Sequence, residues 1–308
     1  MIYTITLNPA VDRELVVDEF RFNIVDRALK YRVDCGGKGF NVARMLKTVN
    51  LSSKAMGFAG GKSGEILDQE LQALGIETNF NWIAEETRTN VSIVKSDGSK
   101  YIKVNEPGPT ISRSDLEALI DNIWNCVKPG DWWVLAGSLP PGVPENIYTI
   151  LIPIIEEAGG HTILDTSGEA LKKGCEARPF LVKPNLEEAR QLTTSVCDSN
   201  ASKEEIAQAI LSMGPRNVVI SLGKAGALMA DGEEIRTVSS PEIAERNPIG
   251  AGDAMVAGLA WGLSQNKSLF ESLQSGIACG AVAASQQGTY MGSYEMILDA
   301  IARVKQLH

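Results

Sequence analysis

From about residue 112 onward, short apolar runs alternate with stretches whose apolar residues recur every three or four positions. This is the pattern of strand–helix–strand units that feed a parallel sheet. It predicts helices over "DLEALIDNIWNCV", "PENIYTILIPIIEEAG" and "EEIAQAILSMG", and buried strands over "DWWVLAG", "HTILDTS" and "NVVISLG". The fold class expected is α/β, a doubly wound, mostly parallel sheet flanked by helices. The first third reads differently. "RELVVDEF", "RALKYRVDCGG" and "TNVSIVKSDGSKYIKVNEPG" contain alternating, β-branched pieces with a turn at Asp97-Gly98, and these do not fit the alternating core. They predict a small β lid, formed by about 11–34 and 88–106, laid over the ligand edge of the sheet.

Composition narrows the function. At 308 residues the chain exceeds the usual size of a single core, so one large domain with an elaboration, or two domains, is expected. The net charge of −9 argues against nucleic acid or an anionic membrane as a partner, both of which need clustered basic surface. An anionic substrate would need locally placed Lys and Arg. Cys35, Cys126, Cys175, Cys197 and Cys279 are scattered and odd in number, which suits reduced thiols in a cytoplasm. With only His161 and His308, a Ser-His-Asp triad or a His-rich metal site is not expected. The N-terminus lacks the form of a secretory signal, and the most apolar run, "IYTILIPII", is too short to span a bilayer.

Several stretches carry candidate chemistry. In "NPIGAGDAMVAGLAWGL", Asp253 follows a small-residue turn and opens an apolar helical run. An Asp there can cap the helix, or it can act beside an anion bound by the free amides of Gly250, Ala251 and Gly252. "GFAGGKSG" contains Gly61-Lys62-Ser63, but Gly57 and Gly61 enclose three residues where a phosphate loop needs four. A strand-to-helix glycine turn is therefore expected. "CGGKGFNVARML" sets Gly36, Gly37, Lys38, Gly39 and Asn41 ahead of a helix, for ligand approach or for close helix packing. Arg88 and Lys103, on the two arms of the lid hairpin, could join Lys38 in an anion site. "KPNLEEA" puts Lys183, Asn185, Glu187 and Glu188 where a strand enters a helix. Its acids would serve either as dipole partners or, near a nucleotide, to order the waters of Mg²⁺.

Taken together, "TLNPAVD", "GGKGFNVA", "GSLPPG", "KPNLEE", "SLGKAGA" and "GAGDAMVAG", in this order along nearly the whole chain, resemble the ribokinase-like (PfkB) sugar kinase family. The likeness is to its branch of 1-phosphofructokinases and tagatose-6-phosphate kinases. The resemblance implies a single ribokinase-like kinase domain over 1–308 with the nucleotide-binding part in about 180–308, and a β lid often used in dimerisation. It also implies transfer of the ATP γ-phosphoryl group to a sugar hydroxyl. By position, Asp253 resembles the family's catalytic base, and Gly250, Ala251 and Gly252 its anion hole. Asp12, Gly37 and Asn41 match sugar-binding positions, while Lys38, Arg88, Lys103 and Ser138 are similar to groups that hold the substrate's existing phosphate. Lys183, Asn185, Ser221, Gly223 and Gly226 fall in ATP-loop motifs, and Glu188 matches the acidic position associated with Mg²⁺. Pro248, before the anion hole, and "ACGAVAASQQGT" depart from the usual pattern.

The substrate expected is a ketohexose phosphate, with fructose 1-phosphate favoured over tagatose 6-phosphate. A kinase for a neutral sugar or nucleoside would leave Lys38, Arg88 and Lys103 nothing to neutralise. A non-catalytic sugar-phosphate sensor on the same fold is the rival of a different class. A dehydrogenase lacks its GxGxxG, because "GKAG" at 223–226 has the wrong spacing.

Overall fold

The structure, a computed structural model, describes residues 1–308 except Pro248, Gln287, Thr289, Leu307 and His308. Among the described residues ten strands form the larger sheet. Their order is β14 (Lys305–Gln306), β13 (Ile235–Ser239), β12 (Ala227–Ala230), β11 (Asn217–Ser221), β10 (Leu181–Val182), β9 (His161–Asp165), β8 (Trp132–Ala136), β1 (Ile2–Thr6), β4 (Ser53–Gly60) and β5 (Glu77–Ile83). Strands β11 to β5 run parallel in this order, and β12, β13 and β14 extend the edge antiparallel. The expected fold class is the one observed.

Both faces of the sheet are covered, which is why "WWVLA" of β8 is apolar throughout and buried throughout. Alternation sends Trp132, Val134 and Ala136 to one core and Trp133 and Leu135 to the other. On the first side lie α1 (Lys38–Thr48), α8 (Ala251–Ser264), α9 (Leu269–Ala284) and α10 (Tyr294–Arg303). On the second lie α3 (Arg113–Cys126), α4 (Tyr148–Glu157), α5 (Gly168–Glu176), α6 (Leu186–Thr193) and α7 (Lys203–Ser212). Helix α2 (Gly61–Ala73) packs through Leu67 and Leu71 with Phe40 and Ala43 of α1. The strand order reverses at β1, which lies between β4 and β8. In an open α/β sheet that reversal opens a crevice beyond the carboxyl ends of the strands.

The second sheet contains β2 (Ala10–Val17), β3 (Lys30–Gly36), β6 (Arg88–Lys95) and β7 (Tyr101–Asn105), in the order β3-β2-β6-β7. Its register gives it two unlike faces. Asp34, Asp12, Asn90 and Asn105 stand level across one row, and Arg32, Glu14, Ser92 and Lys103 across the next row on the same face. The opposite face presents Tyr31, Leu15, Ile93 and Ile102, then Val33, Arg13, Val91 and Val104. The polar face carries Asp12, while Tyr31, Ile102 and Val104 on the apolar face are exposed.

Candidate active site

The reversal gathers side chains from the strand ends. Asp165 closes β9, Lys183 follows β10, Ser221 ends β11, and Lys38 opens α1. Asp165 is 1% exposed, and its Oδ1 accepts from Lys38 Nζ at 3.2 Å and faces Lys183 Nζ at 3.4 Å. Its Oδ2 has no hydrogen-bond partner among the described residues. Burial pulls the Lys38 ammonium down, but Asp165, Asp253 and Glu188 together outweigh it and hold the pKa above its ordinary value.

Helix α8 supplies the centre. Gly250 precedes it at φ 82°, a left-handed conformation that suits glycine. The first amides of a helix have no partner within it, so those of Ala251, Gly252 and Asp253 point out of its start. Gly252 faces Lys183: a Cβ there would lie 3.7 Å from Nζ. Asp253 is 7% exposed and does not cap the helix, since its Oδ2 instead accepts from Asn41 Nδ2 at 2.8 Å. Burial first, and then the Asp165 carboxylate, push Asp253 up to about 6, against the opposing pull of Lys38, the Asn41 hydrogen bond and Lys183. Pro248, just before this turn, lies outside the described residues, as do Gln287 and Thr289 beyond α9.

Lys38, Asp165, Lys183 and Asp253 stand at the floor of a cleft of about 750 Å³. Asn185, Glu188, Ser221, Gly223 and Gly226 line it further out. Asn185 and Glu188 form a reciprocal capping box at the start of α6: Asn185 Oδ1 accepts from the Glu188 amide, and Glu188 Oε2 accepts from the Asn185 amide, each at 2.8 Å. One Glu188 oxygen is thereby committed, and the other has no hydrogen-bond partner among the described residues. Gly226 stacks on the backbone of β13, where any side chain would collide with Val238 O. Ile243, Ala244, Met255, Ile277, Ala281 and Ala284 make an apolar wall. Lys224, paired with Glu245 at 3.5 Å, also lines the cleft.

Of the residues expected to meet a sugar phosphate, Asp12, Arg88 and Lys103 stand on the lid strands β2, β6 and β7, while Gly37 and Ser138 lie just beyond the ends of β3 and β8. Asp12 Oδ1 accepts from Asn90 Nδ2 at 2.8 Å. Gly36 leaves room for this carboxylate, since a Cβ there would come within 2.5 Å of Oδ2. Gly37 packs on Thr6 and Phe40, and Ser138 Oγ accepts from Asn8 Nδ2 at 3.4 Å. The expected convergence of three cations is not drawn tight by any contact. Lys38 is held by Asp165, and Arg88 donates to the carbonyls of Asn8 and Glu106, each at 2.9 Å, and to Pro9 O at 3.4 Å. Arg88 and Lys103 share the polar face of the lid, but Lys103 stands level with Ser92, four residues along β6 from Arg88 and roughly 13 Å away at strand rise. The reason is local: the loops just outside the strands present the carbonyls of Asn8, Pro9 and Glu106 to Arg88, and a guanidinium with several donors bonds all three.

Gly61-Lys62-Ser63 is the strand-to-helix turn. Its amides are already occupied, with Glu86 accepting from Lys62 N at 3.2 Å and Ser63 N at 2.6 Å. Those bonds, from Ser63 first, hold the Glu86 carboxyl below its ordinary range. Asp165 was not among the expected site residues, although "DTSG" stands at a strand end on the ligand edge. Nor was Asn90, whose partner Asp12 lies 78 positions away.

A family model described as "pfkB family carbohydrate kinase" matches residues 4–295. The chain belongs to this family. It is 33% identical over 305 residues to a 1-phosphofructokinase of Bacillus subtilis (strain 168), covering 99% of each chain. It is also 33% identical over 293 residues, 94% of each, to a tagatose-6-phosphate kinase of Staphylococcus epidermidis. Phosphofructokinase-2 from Escherichia coli, solved in complex with potassium, superposes with a TM-score of 0.92 at 31% identity over 98% of each chain. In this pfkB chain the stretches that carry the resemblance lie along the cleft and the lid strands.

Proposed function

We propose that this pfkB kinase transfers the γ-phosphoryl group of ATP to a ketohexose phosphate, fructose 1-phosphate being favoured and tagatose 6-phosphate the alternative. One observation carries the reading: Asp253 is buried beside the open amides of α8, on a cleft floor that also holds Lys38 and Lys183. Asp253 is the base. As the acceptor hydroxyl oxygen bonds to the γ-phosphorus, the bond to the β,γ-bridging oxygen breaks, ADP leaves with that electron pair, and the hydroxyl proton passes to the Asp253 carboxylate. The amides of Ala251, Gly252 and Asp253, together with Lys183 and Lys38, offset charge on the transferring group.

The cleft suits a nucleotide, being of ligand size, apolar on the Ile243 and Ile277 wall and cationic at its floor. The residues present also fit Mg²⁺. No group of three His, Cys, Asp or Glu among the described residues could cage a metal, whereas a Mg²⁺ ion held mainly by phosphates and waters needs few protein ligands. Glu188 and Asp165 line the cleft, each with an oxygen that has no hydrogen-bond partner among the described residues, and they would hold its shell. The ion would neutralise phosphate charge. Asp12 and Asn41 would orient the sugar, with Gly37 giving it backbone access, while Arg88, Lys103 and Ser138 would meet its phosphate. Two lids joined by their apolar faces, bearing Tyr31, Ile93, Ile102 and Val104, would make a homodimer. The five free cysteines suit a reducing cytoplasm.

The test is ADP release with Mg-ATP and, separately, fructose 1-phosphate, tagatose 6-phosphate, fructose 6-phosphate and ribose, alongside Asp253→Asn. Turnover of one phosphosugar that vanishes in the variant is expected. ATP binding without turnover of any acceptor would instead favour the sugar-phosphate sensor.

A further inference from the structure

Behind Asp253 a line of hydrogen bonds leads away from the cleft. Asn41 Nδ2 donates to Asp253 Oδ2 at 2.8 Å, and Asn41 Oδ1 accepts from Arg44 Nη1 at 3.0 Å. Arg44 lies one turn further along α1, on the same face, and is 7% exposed. Its Nη1 also donates to Cys35 O at 2.8 Å, and its Nη2 to Glu70 Oε1 of α2 at 2.8 Å. The other Glu70 oxygen accepts from Cys35 Sγ at 2.9 Å. None of Arg44, Glu70 and Cys35 lines the cleft.

We propose that Arg44, anchored by Glu70, is a positioning residue that locks the Asn41 amide in the one orientation presenting a donor to the base. A guanidinium has donors and no acceptor. The oxygen of Asn41 must therefore face Arg44, which leaves the NH₂ group to face Asp253. Without Arg44 the amide is free to turn over. Its oxygen would then oppose the Asp253 carboxylate, or accept a proton from it, and either result favours the protonated acid that cannot serve as base. Glu70 keeps a buried guanidinium from standing unpaired, a loss that is costly in itself. This inference rests on Asp253 acting as the base.

The remaining groups acting on Asp253 are Lys38 of α1, Lys183 beyond β10 and Asp165 of β9. On α9, packed along α8, the buried titratable group is the Cys279 thiol, pushed to about 12 by burial. An Arg44 substitution replaces none of these.

The experiment compares the intact protein with Arg44→Met and Arg44→Lys, measuring kcat and KM against pH, thermal stability, and the titration of the Asp253 carboxyl by ¹³C NMR without ligand. Arg44→Met should lower kcat roughly 10- to 100-fold, leave KM for ATP within about two-fold of wild type, and move both the acid limb of kcat and the carboxyl titration to higher pH. Arg44→Lys keeps a donor and should recover part of both. An acid limb and carboxyl midpoint that stay in place in Arg44→Lys and in any folded Arg44→Met, with kcat falling only as Tm falls, would overturn the proposal. Full turnover by Asp253→Asn would instead remove the base reading on which it rests, so the two failures are distinguishable.

Discussion

At the scale of single residues, Asp253 owes its chemistry to what does not touch it. It accepts from Asn41 and from none of its own helix's amides, so capping does not explain it. Replacement by Asn should cut kcat about 10²- to 10⁴-fold. The sign of the stability change follows from linkage. Burial raises the folded pKa above the unfolded one, so the group favours folding at low pH, and that contribution is lost as pH rises through about 6. At neutral pH the ionised carboxylate is a cost, and Asp253→Asn should melt at the same temperature as wild type or higher. A lower Tm matching the loss of activity would return Asp253 to a structural role. Since a base must be unprotonated to accept, kcat/KM should fall as pH drops through about 6; a profile flat from pH 5 to 8 would contradict this. Lys62→Ala should leave KM for ATP unchanged, because the neighbouring amides bind Glu86 and Lys62 itself pairs with Glu65; a raised KM would reopen the phosphate-loop reading.

At the scale of elements, α8 is apolar all round because it is packed all round, by the sheet, α1 and α9. Its contact with α9 is made backbone to backbone. A Cβ on Gly258 would lie 2.5 Å from Ser275 O and 2.6 Å from Gly276 Cα. Gly258→Ala gains about 1 kcal/mol of helix propensity but must push two helices apart, an overpacking cost of about 1–3 kcal/mol. The expected net effect is a lower Tm, read by calorimetry, with lowered kcat as α8 carries Asp253 out of place. This element was legible from sequence, since "GAGDAMVAGLAWGL" is a turn followed by a buried helix. The buried strands β8, β9 and β11 were legible for the same reason: a run covered on both faces has an unbroken apolar centre. The antiparallel edge of β12, β13 and β14 was not, because these strands are short and β14 pairs with a β13 far back in the chain. Nor was the Arg44 to Glu70 link, which joins positions 26 apart through packing that no local spacing encodes.

At the scale of the whole molecule, the lid is the part left unfinished. Its polar face carries Asp12 and Arg88, while its other face exposes Tyr31, Ile102 and Val104, large apolar side chains grouped as they are on interaction surfaces. Changing Ile102 and Val104 together to Glu should convert a dimer to a monomer in sedimentation; a wild type already monomeric at micromolar concentration would refute the lid-to-lid contact. The reversal of strand order at β1 also divides labour along the chain. Asp12, Gly37, Lys38, Asn41, Arg88, Lys103 and Ser138 all precede residue 140, whereas Lys183, Ser221, Gly226 and Asp253 all follow residue 180. On the assignment proposed above, the acceptor is chosen by one half of the polypeptide and the donor by the other, with α1 packed against α8 between them. A chimera that grafts the front half of a relative with a different sugar preference onto this rear half should inherit the relative's acceptor and keep its own nucleotide, so taste in sugars can drift through descent provided that Lys38, Asn41 and Arg44, the front half's share in the transfer, stay as they are.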